Sequence, residues 1–204
     1  MKKVFVLFAV FTISLLVISC KSENKKETKQ PEKKALAFSL KNAQNSINWT
    51  AYKTTEKIPV KGEFKKVTIT AGGEGATIKE AVNGAEFSIP VSSIFTNEAS
   101  RDSKLKEFFF GIMENTSLLT GKLVLENDAT GYADITMNGV THKLPFAYTI
   151  SENEFKLEAT MKISDWKAEK ALQSLNEACK DLHKGADGVS KTWDEVAITI
   201  SSKF

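Results

Sequence analysis

The chain has 204 residues, of which 42% are hydrophobic and 26% charged, with a formal net charge of +3 and a sequence pI near 8.7. The positive excess belongs to the leader: from Ala35 onward 20 basic residues face 22 acidic ones, and a slightly acidic domain of this kind excludes a nucleic-acid partner. Only two cysteines are present, Cys20 and Cys179.

The chain opens Met1-Lys2-Lys3 and then runs from Val4 to Ile18 with only Thr12 and Ser14 breaking its apolar character. A short positive region followed by an apolar run too short to span a bilayer comfortably is a secretory signal, here residues 1–19. The end of that run, Val17-Ile18-Ser19-Cys20, resembles the bacterial lipobox. The resemblance implies that the Cys20 thiol is acylated and that cleavage precedes it. Two or three acyl chains hold a protein to a membrane permanently, since each buried CH₂ contributes about 0.8 kcal/mol. Lys21 stands where an aspartate would suggest inner-membrane retention, so the expected location is the cell envelope, the outer membrane favoured, facing the periplasm or the exterior. Acylation of Cys20 leaves Cys179 without an intramolecular disulfide partner.

Residues 20–35 form the expected tether. Its KSENKKETKQPEKK run has nothing to bury against the entropy of ordering it. Residues 36–204 are then one domain of ordinary size.

Apolar side chains recur there with a period of two. The alternating sets are Ile47, Trp49 and Ala51; Phe87, Ile89 and Val91; Leu119 to Leu125; Ala133, Ile135 and Met137; Leu144 to Ile150; Phe155 to Ile163; and Val196, Ile198 and Ile200. Each predicts a strand with one buried face. Turn signals separate them, at Gly72-Gly73, Asn83-Gly84, Asn127-Asp128, Asn138-Gly139 and Glu152-Asn153. Asn138-Gly139 predicts a type I′ hairpin. Many short antiparallel strands at this spacing predict an all-β barrel or sandwich.

Two segments have helical spacing instead. Ser100 to Phe110 places Leu105, Phe108 and Phe109 on one side, with Ser100 as a possible cap. Lys167 to His183 carries Ala168, Ala171, Leu172, Leu175, Ala178, Cys179 and Leu182 on one face, and Gly185 ends it.

Three stretches resemble the YceI-like proteins. They are Ile47-Asn48-Trp49-Thr50-Ala51-Tyr52-Lys53 with Val60-Lys61-Gly62-Glu63-Phe64; Thr96 through Arg101-Asp102 to Leu105 and Phe108-Phe109; and Asn138-Gly139-Val140-Thr141-His142-Lys143-Leu144-Pro145-Phe146. Phe110 stands where the family has Asp, and Glu114-Asn115-Thr116 lacks the family's Pro. The resemblance implies a lipocalin-like, eight-stranded antiparallel barrel with one or two accessory helices, holding an apolar isoprenoid-type ligand, a polyprenyl lipid or quinone, as a binding protein with no catalytic role. The other reading open at this point is a structural lipoprotein whose barrel is packed and empty of ligand.

Strand parity and the phenylalanine segment nominate Trp49, Phe64, Phe87, Ile89, Phe108, Phe109, Met137, Phe146, Leu157 and Met161 as the ligand-binding lining. Phe108 to Met113 is either an adaptable apolar lip or a helix packing on the barrel end. Arg101 and Asp102 are head-group candidates, against the stronger reading of a local ion pair at a helix start. Trp49, Trp166 and Trp193 read as core, and Pro59, Pro90 and Pro145 as edge or bulge positions. Cys179 and His183 have half-site spacing, but His142 is the only other histidine, so no metal site and no cofactor are expected. No G-x-S-x-G element is present, and nothing in the sequence calls for catalysis. The oligomeric state, monomer or homodimer, stays open.

Overall fold

The computed structural model describes residues 36–204. The expected signal peptide, the expected lipid-attachment site at Cys20 and the expected tether lie outside the described residues. Twelve strands are present among the described residues, and ten of them form one antiparallel sheet in the order β4-β6-β8-β9-β10-β11-β12-β2-β3-β7. Their ranges are β2 Gln44–Lys53, β3 Ile58–Phe64, β4 Thr68–Ala71, β6 Glu86–Pro90, β7 Ile94–Phe95, β8 Leu118–Leu125, β9 Thr130–Met137, β10 Val140–Ser151, β11 Glu154–Lys162 and β12 Glu195–Lys203. The two remaining strands, β1 Phe38–Ser39 and β5 Glu74–Gly75, pair with each other.

The sheet curls, and its two apparent edges belong to the same bent ladder. β3 and β4 are successive halves of one stretch, as are β6 and β7. Glu63 and Phe64 pair with Phe95 and Ile94, whereas Thr68 and Ile69 pair with Ser88 and Phe87. Between the two pairings the Lys65 N–H donates to Ser93 O at 3.0 Å. With each bent stretch taken as one strand, eight strands follow one another round the sheet, and β12 returns to β2 through Ile198 opposite Trp49. The all-β, lipocalin-like fold is therefore observed. The alternation that predicts it survives as burial: Leu144, Phe146 and Tyr148 of β10 are buried while Pro145 and Ala147 between them are exposed.

The Asn138-Gly139 turn has positive φ at both residues, 52° and 66°, as its type requires. Its asparagine also pins neighbouring segments. Asn138 Oδ1 accepts from the Glu114 N–H at 2.8 Å, and Nδ2 donates to Trp166 O and Lys167 O at 3.0 Å each.

The interior divides into two apolar clusters along the barrel. One end is packed solid, where Tyr148, Phe155, Phe146 and Leu157 meet Leu40 and helix α1, Ile78–Val82, which contributes Ile78 and Val82. At the other end Trp49, Ile94, Phe109, Phe110, Met137, Leu144 and Trp166 meet helix α3, Glu169–Ala178.

The helices depart from expectation in length and capping. Helix α2, Ala99–Lys104, is capped by Glu98, whose carboxylate accepts from Ser100 N–H; Ser100 is not the cap. A π-turn, Leu105–Phe109, follows, in which the Phe110 N–H reaches back to Leu105 O. Helix α3 begins later and ends earlier than Lys167–His183. Lys167 is left-handed at φ 54°, its carbonyl held by Asn138, so the helix cannot start there. At the far end Leu182 is 58% exposed and drops out of the buried stripe, whereas Ala171, Leu175 and Cys179 stay in it.

Pro59 lies on the stretch of β3 that pairs only with β2, and Pro90 ends β6, both as expected of edge positions. Pro145 also lies at a local edge, although within a long strand. It sits within β10, paired with Tyr132 of β9, at the place where the ladder to β11 stops: the β10–β11 register begins at Phe146 opposite Ala159. A proline has no N–H to give the missing rung. Beyond it β10 diverges from β11, and the turn Ile163–Trp166 sets Trp166 there, fully buried, with Nε1 donating to Ile135 O at 2.9 Å and the His142 ring 5.3 Å away.

Candidate functional site: an apolar cavity inside the barrel

A cavity of about 160 Å³ lies between the two clusters. Every residue on its lining except Thr192 is apolar or aromatic. Strands supply most of the wall, through Ile47 and Trp49 of β2, Phe64 of β3, Phe87 and Ile89 of β6, Met137 of β9, Phe146 of β10, Leu157 and Met161 of β11, and Ile198 and Ile200 of β12. The lid comes from the π-turn, the short turn Phe110–Ile112 that follows it and α3, through Leu105, Phe109, Phe110, Leu172 and Leu175.

Nine of the ten nominated lining residues stand on this wall: Trp49, Phe64, Phe87, Ile89, Phe109, Met137, Phe146, Leu157 and Met161. The tenth, Phe108, does not. It is half-buried and packs against the cluster that contains Phe109 and Phe110. The π-turn explains the exchange. One extra residue in the turn, followed by a tight turn at Phe110–Ile112, brings the consecutive Phe109 and Phe110 to the same side, each 8% exposed, with their rings edge-on at 4.9 Å. Regular helical spacing pairs Leu105 with Phe108 and Phe109, and so passes over Phe110. Leu172 and Leu175 carried the right signal, an apolar stripe, but a stripe does not say what it covers.

Arg101 and Asp102 separate. Asp102 Oδ1 accepts from Thr96 N at 2.9 Å and Thr96 Oγ1 at 2.6 Å, which ties the chain just ahead of α2 to the helix. It does not face the cavity, and Arg101 is not its partner. Arg101 instead lies on the wall of a second space of about 300 Å³, which shares Trp49, Ala51, Leu105, Leu175 and Thr192 with the barrel cavity.

Cys179 and His183 also lie on that wall. Burial raises the Cys179 thiol above its ordinary pKa, although Lys104, Lys53 and Arg101 pull the other way. His183 is lowered from 6.5 to about 4, first by burial and then by the positive charges of Lys53 and Lys104. Its Nδ1 is engaged with Thr192 Oγ1 at 2.7 Å. Among the described residues no three His, Cys, Asp or Glu side chains gather as a metal would require. Trp193 donates from Nε1 to Thr54 O at 2.8 Å and also lines the barrel cavity.

The family model for the YceI-like domain matches residues 38–204. The chain belongs to the YceI-like family. Among solved structures, this YceI-like chain is similar to a polyisoprenoid binding domain from Saccharophagus degradans implicated in plant cell wall breakdown, with 14% identity over 83% of this chain and 99% of that one, at a TM-score of 0.58. At that identity the likeness is one of fold. Burkholderia cenocepacia BcnA matches with 13% identity over 78% of this chain and 94% of that one, at a TM-score of 0.49. The Campylobacter jejuni YCEI protein matches with 18% identity over 68% and 83%, at 0.42. No curated protein matches the chain.

Proposed function

We propose that this YceI-like protein binds an apolar, isoprenoid-type lipid (a polyprenyl chain or quinone) inside its barrel, and that it does so anchored to the cell envelope by an acylated Cys20. The observation that carries the reading is the cavity itself: a space inside the barrel whose lining is apolar at every position but one. Transfer of a hydrocarbon chain from water to such a wall is favoured by about 25 cal/mol per Å². The Saccharophagus degradans relative, described as a polyisoprenoid binding domain, supports the same ligand class. The lipobox-like Val17 to Cys20 and the polar run behind it support the anchor, with the outer membrane favoured by Lys21.

The end closed by α1, Tyr148 and Phe155 is filled, which supports entry at the other end, where the π-turn and α3 cover the cavity. At 160 Å³ the cavity is about as large as one that holds a benzene ring, so a long chain also occupies the adjoining 300 Å³ or displaces the lid. The test is native mass spectrometry of the protein purified from bacteria without detergent, with organic extraction of the same sample. The expected result is a stoichiometric adduct that passes into the solvent. A bare mass that stays unliganded after incubation with polyprenyl lipids and quinones overturns the proposal.

A further inference from the structure

The two ends of the barrel differ in what they show to solvent. Of the seven large hydrophobic side chains exposed among the described residues, four stand at the open end: Ile58, Ile112, Leu182 and Val189, each 46–58% exposed. Ile58 begins β3 opposite Lys53, a residue of the second space, and Leu182 lies on the wall of that space. Ile112 ends the short turn whose Phe110 covers the cavity. Val189 belongs to the loop 184–191, which is held on the β2–β3 turn: the Ala186 N–H donates to Glu56 Oε1 at 3.1 Å, and Thr55 Oγ1 donates to Asp187 Oδ2 at 2.8 Å. Phe95 and Leu118 lie on strands β7 and β8. At the filled end the turns are polar, at Gly72-Gly73, Asn127-Asp128 and Glu152-Asn153, and only Leu36 is exposed, just before the Ala37 N–H joins Gly75 O.

Two amphipathic rings border the same turn. Tyr52 and Trp193 are half-buried, with Lys57 Nζ 4.8 and 5.0 Å from their ring centres and Lys191 Nζ 3.6 Å from that of Trp193. Aliphatic tips beside Trp, Tyr and Lys suit a lipid interface, where such rings sit at head-group level and lysine stems lie over apolar surface with the ammonium in water. Chain length supplies the partner. The chain leaves the filled end at Leu36, which is 16 positions from Cys20. Full extension of that tether reaches about 55 Å, and a charged linker favours extension. The longest strand, β10, has 12 residues. A strand of that length spans about 40 Å. The tether is therefore long enough for the anchored domain to turn over and set its open end on its own bilayer.

We propose that the open end docks on the membrane that carries the anchor, with Ile58, Ile112, Leu182 and Val189 in the interfacial layer and the barrel opening against the lipid. The inference rests on the anchor and lipid-binding reading above, and adds the route by which the apolar ligand crosses, from bilayer to barrel without passing through water. Removal of the four tips from water supplies the attraction, which scales with the apolar area buried.

The experiment uses the full chain isolated from bacterial membranes and reconstituted in phosphatidylcholine vesicles, with an NBD fluorophore on Ile112→Cys, on Val189→Cys or, at the filled end, on Asn153→Cys. All three positions are exposed, Cys179 is buried, and an acylated Cys20 has no thiol to label. The quencher is phosphatidylcholine spin-labelled near its head group. The expected result is loss of emission from the labels at positions 112 and 189 and none from the label at 153. Deleting Glu23 to Lys33 shortens the reach to about 18 Å, and the loss at both open-end positions is then expected to vanish. Labels at 112 and 189 quenched no more than the label at 153, or quenching that survives the deletion, overturns the proposal. Open-end labels shielded from aqueous iodide yet untouched by the spin-labelled lipid report a protein covering that end, which also overturns it. Label found on Cys20 of the unsubstituted chain shows that the anchor is not formed, and removes the anchor reading together with the docking that rests on it.

Discussion

Gly62 is where the barrel wall yields to the Trp49 indole, and a single methyl group tests how tightly the two are coupled. The residues sit opposite each other in the β2–β3 ladder. A Cβ added at Gly62 stands 2.6 Å from Trp49 Cε2 and 2.8 Å from Cη2, and nearer still to Cζ2. Gly62 is absent from the positive-φ residues, so space and not backbone conformation requires the glycine. Two opposing terms set the outcome of Gly62→Ala. Removing glycine from a strand interior stabilises by about 0.5–1 kcal/mol. Overpacking a buried ring destabilises by about 1–3 kcal/mol. The overlap involves three ring atoms at once, so the second term wins and the expected net loss is about 1–2 kcal/mol. In a Trp49→Leu background the overlapping atoms are gone, and the same substitution becomes neutral or stabilising by up to about 1 kcal/mol. The assay is urea unfolding of all four proteins of the cycle, followed by far-ultraviolet circular dichroism because the tryptophan changes. Equal m-values ensure that midpoints report stability. A Gly62→Ala effect of the same sign and size in both backgrounds, agreeing within about 0.5 kcal/mol, refutes the reasoning. The indole lines the barrel cavity, so an overlap that pushes it off Gly62 is also expected to weaken lipid retention in Gly62→Ala.

Protonation of His183 gives an expected pH dependence. Its folded pKa of about 4 lies below the ordinary 6.5, so the unfolded chain takes the proton first and stability falls as pH drops from 6.5 to 4. Half exposure discounts the effect to about 1–2 kcal/mol, and a urea-midpoint profile as steep in His183→Asn as in the wild type contradicts it. Phe109→Ala is expected to cost about 3–5 kcal/mol and to reduce the extractable lipid, whereas Phe108→Ala spares the lipid; equal loss from both argues against the observed lining. Cys179, 6% exposed and raised in pKa by burial, is expected to resist a thiol reagent in the folded protein and to react only on unfolding, at a rate that tracks denaturant.

Much of the wall was legible because a strand keeps a strict account of sides. Once Trp49, Phe87, Met137, Phe146 and Leu157 face one way, parity carries the assignment along the rest of their strands, and these residues do share one lining. Parity fails where the chain leaves the strand. Phe108, Phe109 and Phe110 follow one another in a segment whose hydrogen bonds change from α to π to a tighter turn, and no fixed period says which two face inward. Leu182 lies on the helical stripe by counting, but α3 ends at Ala178 and Leu182 stands exposed. At the other end Lys167 is kept out of the helix by Asn138, a residue of a distant turn, and that contact leaves no local trace in the sequence.

Pro145 shows the same limit from the other side. Locally it says that one rung is missing, and the edge reading follows from that alone. In the folded chain the missing rung falls within the sheet, on the β11 side of β10, while β9 stays fully paired. The divergence has a use that only tertiary structure reveals, since the fully buried Trp166 lies against His142 of the diverging stretch of β10 and donates to Ile135 O of the neighbouring β9. One proline therefore sets where the barrel wall parts, and one tryptophan keeps that parting closed beside the end through which a ligand would enter.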